Sequence, residues 1–314
     1  MNSIPSGVVQ FFEPISSKRR AIENRLIDFF KSHSYKEMVT PTFSYENTIS
    51  KSLLDPLKTR LFKFVDRSSK EVLILRADIT MQIMQAVFMG NFEMPTRICY
   101  AGNIYRDVKE HTGSKREIKQ VGAELFGVKE KTADEEIIML ALESLRQFGV
   151  DNITLRLSDT DIIDKLLHKY GLQDSSEIKA LIGKKNISSI KKKFNNIPIG
   201  FVESLNELSS LNGYSVYNKN ISDESYELIQ DVVNIGKAVQ SKIDNIKIFF
   251  DLFYCEEPAY HHGIVFDIFS ESERIAVGGR YGKITEFLGR YIPATGFAIE
   301  LDNLVYFLSD KGIV

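Results

Sequence analysis

Cysteine is scarce in this 314-residue chain, with Cys99 and Cys255 the only two. Two thiols build neither a disulfide framework nor a four-thiolate zinc site. Their apolar surroundings, Arg-Ile-Cys-Tyr and Phe-Tyr-Cys-Glu, read as buried, inert positions. A surplus of one charge is also missing. Lys and Arg total 40 against 42 for Asp and Glu, a formal net charge of −2. That excludes a global basic field, so nucleic acid is not the default partner, although a local basic groove stays open. No apolar run approaches the ~20 residues of a membrane span. Met1 to Phe12 lacks the basic-then-apolar order of a signal peptide. The expected location is cytoplasmic, with no membrane partner. Neither GxGxxG nor GxxxxGK[ST] occurs, and there is no internal repeat.

What is present is an ordinary globular composition, 43% hydrophobic and 26% charged, long enough to bury a sizeable core. Ile22, Leu26, Phe29 and Phe30 lie on one helical stripe within residues 17–32. Met38 to Phe43 is extended, with Pro41 turning Thr40 away from helix. Phe62–Val65 and Val72–Leu75 flank Asp66-Arg67-Ser68-Ser69, a hairpin signal. A helix is expected over 79–89, then two long extended runs over 97–105 and 116–126. Thr132-x-x-Glu135 has the form of a capping box opening a helix to Phe148. A strand over 152–157 and a helix over 158–170 follow, with Gly171 just past the helix. Residues 172–244 are rich in Lys, Ser and Asn. They are expected to form a small, mostly helical insertion between the two parts of a core domain, 1–171 and 245–314. The run Lys184 to Lys193 reads first as a solvated helix face and second as a phosphate-backbone contact.

The last third returns to strands over 246–253, 262–269 and 275–277. A glycine turn at Gly278-Gly279 leads into a helix over 281–288. A strand over 295–301 and a helix over 302–308 close the chain. Strands in hairpins and helices in runs predict an antiparallel α+β domain rather than a doubly wound sheet.

The β-rich centre carries a family resemblance. Arg97-Ile-Cys-Tyr-Ala-Gly-Asn-Ile-Tyr-Arg106-Asp107 and Lys119-Gln120-Val-Gly-Ala-Glu124-Leu-Phe-Gly127 resemble motif 2 of class II aminoacyl-tRNA synthetases in its histidyl form. Met38-Val-Thr-Pro41-Thr-Phe43 resembles motif 1, which in those enzymes carries the dimer interface. Leu75-Arg76-Ala77-Asp78-Ile-Thr80 is similar to the synthetase stretch Leu-Arg-Pro-Glu-x-Thr. Val277-Gly278-Gly279-Arg280-Tyr281 is similar to a histidyl-specific turn, and Ala294 to Leu304 stands where motif 3 belongs. The fold implied is an antiparallel sheet of the class II synthetase type flanked by helices.

Three departures from the pattern point away from synthetase chemistry. Motif 3 of an active enzyme reads Gly-Phe-Gly-x-Gly-x-Glu-Arg. Here Asn303 replaces its phosphate-binding arginine and Glu300 replaces a glycine, removing a charge-assisted contact and adding an anion. In the family's Arg-Gly-Leu-Asp-Tyr-Tyr stretch, the arginine position is Glu256, a carboxylate where an adenylation transition state needs a cation. No anticodon-binding domain is expected beyond motif 3, and tRNA is not expected as a partner. This combination resembles the family of regulatory subunits of ATP phosphoribosyltransferase. The resemblance implies a non-catalytic chain with no cofactor. It also implies a short-form catalytic subunit as partner, a homodimer within a hetero-octamer, activation of that partner, and feedback inhibition by histidine. The alternative is a histidyl-tRNA synthetase-like fragment with residual histidine activation. A third reading, an RNA-binding module, rests on the lysine run alone.

The residues kept then describe binding. By resemblance, Asp78 stands where the ligand's α-ammonium is held, and the Glu124 position reads the imidazole. Gln120 and Glu124 are two strand periods apart and share a face. Arg106 matches the motif 2 arginine, suited to a carboxylate or phosphate. Tyr260, His261 and Tyr281 would supply ring walls, and Gly278 and Gly279 a close backbone approach. Each has a plainer reading. Glu124 could pair with Arg106 or Arg116, Arg106 could be a fold remnant, the glycines a tight turn, and Tyr281 a core aromatic. His261-His262 suggests no metal, because adjacent strand residues face opposite ways and no third ligand is near.

Overall fold

The computed structural model describes residues 4–49, 59–108, 115–173, 175–194, 196–211, 223–255, 261–282, 285–286 and 289–313. The amphipathic stripe forms α1 (Ile15–Ser32), which buries Ile22, Leu26, Ile27 and Phe30. Short strands β1 (Lys36–Glu37) and β2 (Phe43–Tyr45) follow, then one helical turn, α2 (Glu46–Ile49). The expected hairpin is β3 (Lys63–Val65) with β4 (Val72–Leu75), and β2 joins the other side of β4 as a three-stranded sheet. Helix α3 (Thr80–Met89) leads into β5 (Thr96–Tyr105) and β6 (Glu117–Phe126), paired antiparallel over ten residues each.

Next come α4 (Thr132–Arg146), β7 (Ile153–Asp159) and α5 (Asp161–Lys169). Four helices follow: α6 (Ser176–Gly183), α7 (Ile187–Lys193), α8 (Ile199–Ser210) and α9 (Asp223–Lys242). The chain closes with β8 (Ile246–Phe250), β9 (Ile264–Ser270), β10 (Glu273–Arg280), β11 (Ala294–Glu300) and α10 (Leu301–Asp310). Among the described residues, eight strands form one sheet in the order β1-β5-β6-β11-β10-β9-β7-β8.

The centre of this sheet is antiparallel, as the hairpin pattern predicts. Both outermost pairs, β1–β5 and β7–β8, are parallel. A parallel pair needs a long crossover, because a tight turn reverses the chain direction. Residues 172–244, together with α5, supply that crossover between β7 and β8. Ile178, Ile182, Ile190, Phe201, Leu205 and Val232 of these helices join the same apolar cluster as Val121, Leu155 and Phe266 of the sheet. A second cluster, including Met81, Met84, Ile98, Tyr100 and Tyr281, lies between α3 and the opposite side of the sheet.

Four local expectations are corrected. Thr132 does not cap α4. It is the first helical residue, no side chain caps the helix, and the amides of Ala133, Asp134 and Glu135 bond to the carbonyls of Glu130 and Lys131 instead. The helix expected from Ser158 starts at Asp161, because Ser158 and Asp159 extend the ladder opposite Val265 and Ile264. Gly278 and Gly279 are not a turn. They lie inside β10, opposite Phe297 and Gly296 of β11. The helix expected over 281–288 also fails at its start: the Tyr281 amide bonds the Ala294 carbonyl at 2.9 Å. Among the described residues beyond it, Gly282, Thr285 and Glu286 form only 3₁₀ turns. In the lysine run, Lys191, Lys192 and Lys193 are exposed in the last turn of α7, where cations suit the helix dipole. Lys193 pairs with Glu177.

Candidate functional site

A cavity of about 140 Å³ opens over the middle of the large sheet, on the face away from α1 and α4. On the same scale, ~150 Å³ accommodates a molecule the size of benzene. Strand alternation puts Gln120 and Glu124 of β6 into it, joined by Gly296, Ala298 and Glu300 of β11. Asp78 and Thr80 enter from the start of α3, Tyr100 from β5, and Tyr281 from the end of β10. Arg106, Tyr254, His261 and Arg274 complete the polar lining.

Glu124 is the centre of the site. It is 1% exposed. Its Oε1 accepts from the Thr80 hydroxyl at 2.6 Å and its Oε2 from the Tyr281 hydroxyl at 2.7 Å. Burial pushes its carboxyl up to about 8, against the lowering effect of those hydroxyls and with a smaller push from Asp78. Glu124 is therefore neutral at pH 7. It pairs with neither arginine suggested by the sequence: Arg116 meets Asp107 at 2.7 Å, and Arg106 donates through Nε to the Ala77 carbonyl at 3.3 Å. Tyr281 is a core aromatic, edge-on to Phe126, and a cavity residue through its hydroxyl.

Asp78 accepts from the Met81 amide at 3.1 Å, which fixes its carboxylate at the head of α3. His261 borders the cavity with its imidazole pushed down to about 4, by burial first and His262 second, so it is neutral at physiological pH. Gly278 lines the cavity through its backbone, and a Cβ there would stand 2.5 Å from both the Gly296 carbonyl and the Phe266 ring. Gly279 does not reach the cavity. It makes room for its neighbours, since a Cβ would meet Val265 at 2.8 Å and His261 at 3.0 Å. Tyr260, and Glu256 with it, lies outside the described residues. Among the described residues no group of three or more His, Cys, Asp or Glu stands together as a metal site.

Glu300 lines the cavity. Asn303 donates to Glu300 at 3.0 Å and receives the Lys115 ammonium on its carbonyl oxygen. The end of the cavity where motif 3 sits therefore carries an amide–carboxylate pair with a lysine behind it. Gly296 makes this architecture possible, because a Cβ there would overlap Glu124 Oε2. Gly296→Ala should leave a folded protein whose Glu124 is displaced from Tyr281. Circular dichroism with a crystal structure of the variant checks this, and an unchanged Glu124–Tyr281 hydrogen bond would contradict it.

The residue-by-residue reading missed four polar lining residues, Thr80, Tyr100, Tyr254 and Arg274, and with them Val277, Gly296, Phe297 and Ala298. Thr80 was visible in the stretch ending Ile-Thr80, and Tyr100 shares the alternation of β5. Two matched arginines are structural. Arg76 donates to the carbonyls of Thr40 and Asn103, tying the extended segment after β1 to β5. Arg280 points away from the cavity to Asp134 at 2.8 Å and to the Glu130 carbonyl at 2.9 Å, holding β10 against the start of α4.

A class II synthetase-type sheet with a small polar cavity, lined by the buried Glu124 carboxyl and by Asp78, defines the class. The chain belongs to the histidyl-tRNA synthetase family, whose profile matches residues 7–304. Within that family it is similar to ATP phosphoribosyltransferase regulatory subunits. That of Caldanaerobacter subterraneus subsp. tengcongensis is 29% identical over 96% of this chain and 82% of its own length. That of Halothermothrix orenii is 28% identical over 98% and 76%. The histidine–tRNA ligase of Methanocaldococcus jannaschii is also 28% identical, over 98% and 76%. Identity alone thus does not separate the two functions. In three dimensions the chain superposes on an ATP phosphoribosyltransferase regulatory subunit/histidyl-tRNA synthetase from Bacillus halodurans with a TM-score of 0.83. That match is at 23% identity and covers 98% of this chain and 83% of the other. The S. aureus apo histidyl-tRNA synthetase gives 0.67 at 20% identity, over 100% and 75%. These last two likenesses establish the fold.

Proposed function

We propose that this protein is a non-catalytic regulatory subunit of ATP phosphoribosyltransferase. It activates a short-form catalytic subunit in the first step of histidine biosynthesis and carries histidine feedback. One observation carries the reading. At one end of the cavity Glu124 is held by Thr80 and Tyr281, as a ring-reading carboxyl would be, and at the other Glu300, bonded by Asn303, adds an anion to a lining that also holds Arg106 and Arg274. Such a mixed lining suits a free amino acid, which carries both charges. Histidine binding one quaternary state better than another would shift the assembly toward the less active one.

Homodimerisation within a hetero-octamer gains support from an exposed apolar face beside the motif 1 segment. Val39, Phe43, Phe64, Val65 and Val72 are all exposed there, and Phe43 meets Phe64 edge-on at 6.0 Å. Among the described residues no helix is long and apolar enough to cross a membrane. The test is phosphoribosyl-ATP formation by a short-form catalytic subunit, with and without this protein, with and without histidine. Activation that histidine reverses supports the proposal. No activation, together with histidine-dependent ATP–pyrophosphate exchange by this chain alone, would replace it with the synthetase-like reading.

The raised Glu124 carboxyl gives histidine binding a defined pH profile. Near pH 7 free Glu124 is protonated and the free imidazole, with a pKa of ~6.5, is mostly neutral. The bound pair holds that one proton between carboxyl and ring. Below ~6.5 the free ligand carries a second proton that the pair must shed, so affinity falls. Above about 8 the free protein has lost the shared proton, and affinity falls again. Titration calorimetry across this range should show a maximum between the two limits. Affinity still rising above pH 8 would mean that Glu124 accepts from the ring as a bare carboxylate.

A further inference from the structure

Arg156 stands in none of the stretches that resemble the family's motifs, yet the sheet places it beside the cavity. It pairs across β7 and β9 with Asp267. Asp267 pairs in turn with Val277 of β10, and Val277 with Ala298 of β11. Directly opposed residues share a face of the sheet, and both Val277 and Ala298 line the cavity. Arg156 and Asp267 therefore continue the cavity face outward. At ~4.8 Å per strand, the Arg156 backbone is ~10 Å from Val277, so this residue flanks the cavity.

The Arg156 guanidinium is held from several sides. Fully buried Asp267 receives its Nε at 3.0 Å and its Nη2 at 2.7 Å on one carboxylate oxygen. Its Cζ lies 5.0 Å from the centre of the Tyr254 ring and 5.6 Å from that of Phe269, within reach of a cation–π contact. Its Nη1 stands 3.7 Å from Asp251. A planar guanidinium suits such a place, because its edge serves a carboxylate while its face serves a ring.

Asp251 and Tyr254 are the two ends of one turn. The Asp251 carbonyl accepts the Tyr254 amide at 3.2 Å, and its carboxylate accepts the Phe253 amide at 3.3 Å. Lys185, between α6 and α7, meets the same Asp251 oxygen as Arg156, at 3.2 Å. The backbone of the turn is thus fixed by Asp251, which the insertion also holds. The ring at its far end is placed differently. Tyr254 lines the cavity, and its ring lies against Arg156.

We propose that Arg156 is a positioning residue for the cavity, holding the Tyr254 ring as a wall against which the bound amino acid packs. This rests on the cavity being the histidine site. Titration calorimetry on the full chain measures histidine affinity in Arg156→Met, in Tyr254→Ala and in the two combined. Each single variant should bind histidine about 3- to 10-fold more weakly, the range of one aromatic contact. Adding Arg156→Met to Tyr254→Ala should weaken binding less than about twofold further, because the ring through which Arg156 acts is gone. A role confined to stability would lower affinity by the same factor in both backgrounds. That result, or unchanged affinity in either single variant, would overturn the assignment and leave the histidine site standing. Arg156→Met also weakens the pairing of buried Asp267, whose contact with Arg274 is longer, at 3.4 Å. The cycle is therefore repeated in an Asp267→Asn background, which removes that charge, and the same non-additivity is expected there. Wild-type protein that binds no histidine would overturn the histidine site and the assignment together.

Discussion

Glu124→Gln is expected to stabilise the protein at alkaline pH and to weaken histidine binding. The folded state holds the Glu124 carboxyl at about 8, against an ordinary value of 4.5, because burial penalises its charged form. The sign follows from proton counting. Between these limits the unfolded chain has released the proton and the folded chain keeps it, so stability falls as pH rises, by ~1.36 kcal/mol per unit. Below the lower limit both states are protonated and the effect vanishes. Glutamine does not titrate. Its advantage over the wild type should therefore grow by ~3–4 kcal/mol between pH 5 and pH 8, read by urea unfolding at each pH. A difference that does not change with pH would show that Glu124 ionises normally. The same variant should bind histidine about tenfold more weakly, having exchanged a charge-assisted partner for an amide. A stabilised fold with a poorer ligand is the expected signature of a group kept for binding.

Arg280→Met should act in the opposite direction. Asp134 is 1% exposed and meets the Arg280 guanidinium through both carboxylate oxygens, at 2.8–3.1 Å. Burial raises the Asp134 carboxyl and Arg280 is the strongest influence lowering it. Removing one partner of such a pair strands a buried charge, at ~3–5 kcal/mol. Methionine keeps much of the side-chain volume, which limits the packing loss. Without Arg280 the Asp134 carboxyl rises further, so the deficit should grow as pH rises and shrink as pH falls and the acid takes up its proton. Histidine affinity should fall less than stability, because the Arg280 guanidinium donates to Asp134, Val128 and Glu130, which do not line the cavity, and acts by holding the strand that runs into Tyr281. A stability loss under about 1 kcal/mol would show that the pair is dispensable.

Much of the cavity's lining was legible in the chain. Asp78, Gln120, Glu124, His261 and Tyr281 all line one cavity, and the cues to them are local. Spacing by four along a strand places Gln120 and Glu124 on one face, and the order of short stretches along the chain identified the family. The long strands, the hairpin at Asp66–Ser69 and helix α1 follow from periodicities that need only a few neighbouring residues.

Tertiary structure decided the rest, because each remaining feature depends on a partner distant in sequence. Glu124 is neutral rather than ion-paired because Thr80 and Tyr281, 44 and 157 residues away, enclose it where Arg106 and Arg116 do not reach. Arg280 and Arg76 sit in stretches that resemble the family's motifs, yet they clamp backbone and Asp134 rather than line the cavity. The glycine pair reads as a turn and is strand interior, because Phe266, Val265 and the β11 backbone press on it from both faces. Parallel pairing of β7 with β8 needs a crossover that hairpin logic does not foresee. Arg274 lines the cavity beside a register shift between β9 and β10, a mismatch that neither strand's sequence displays alone.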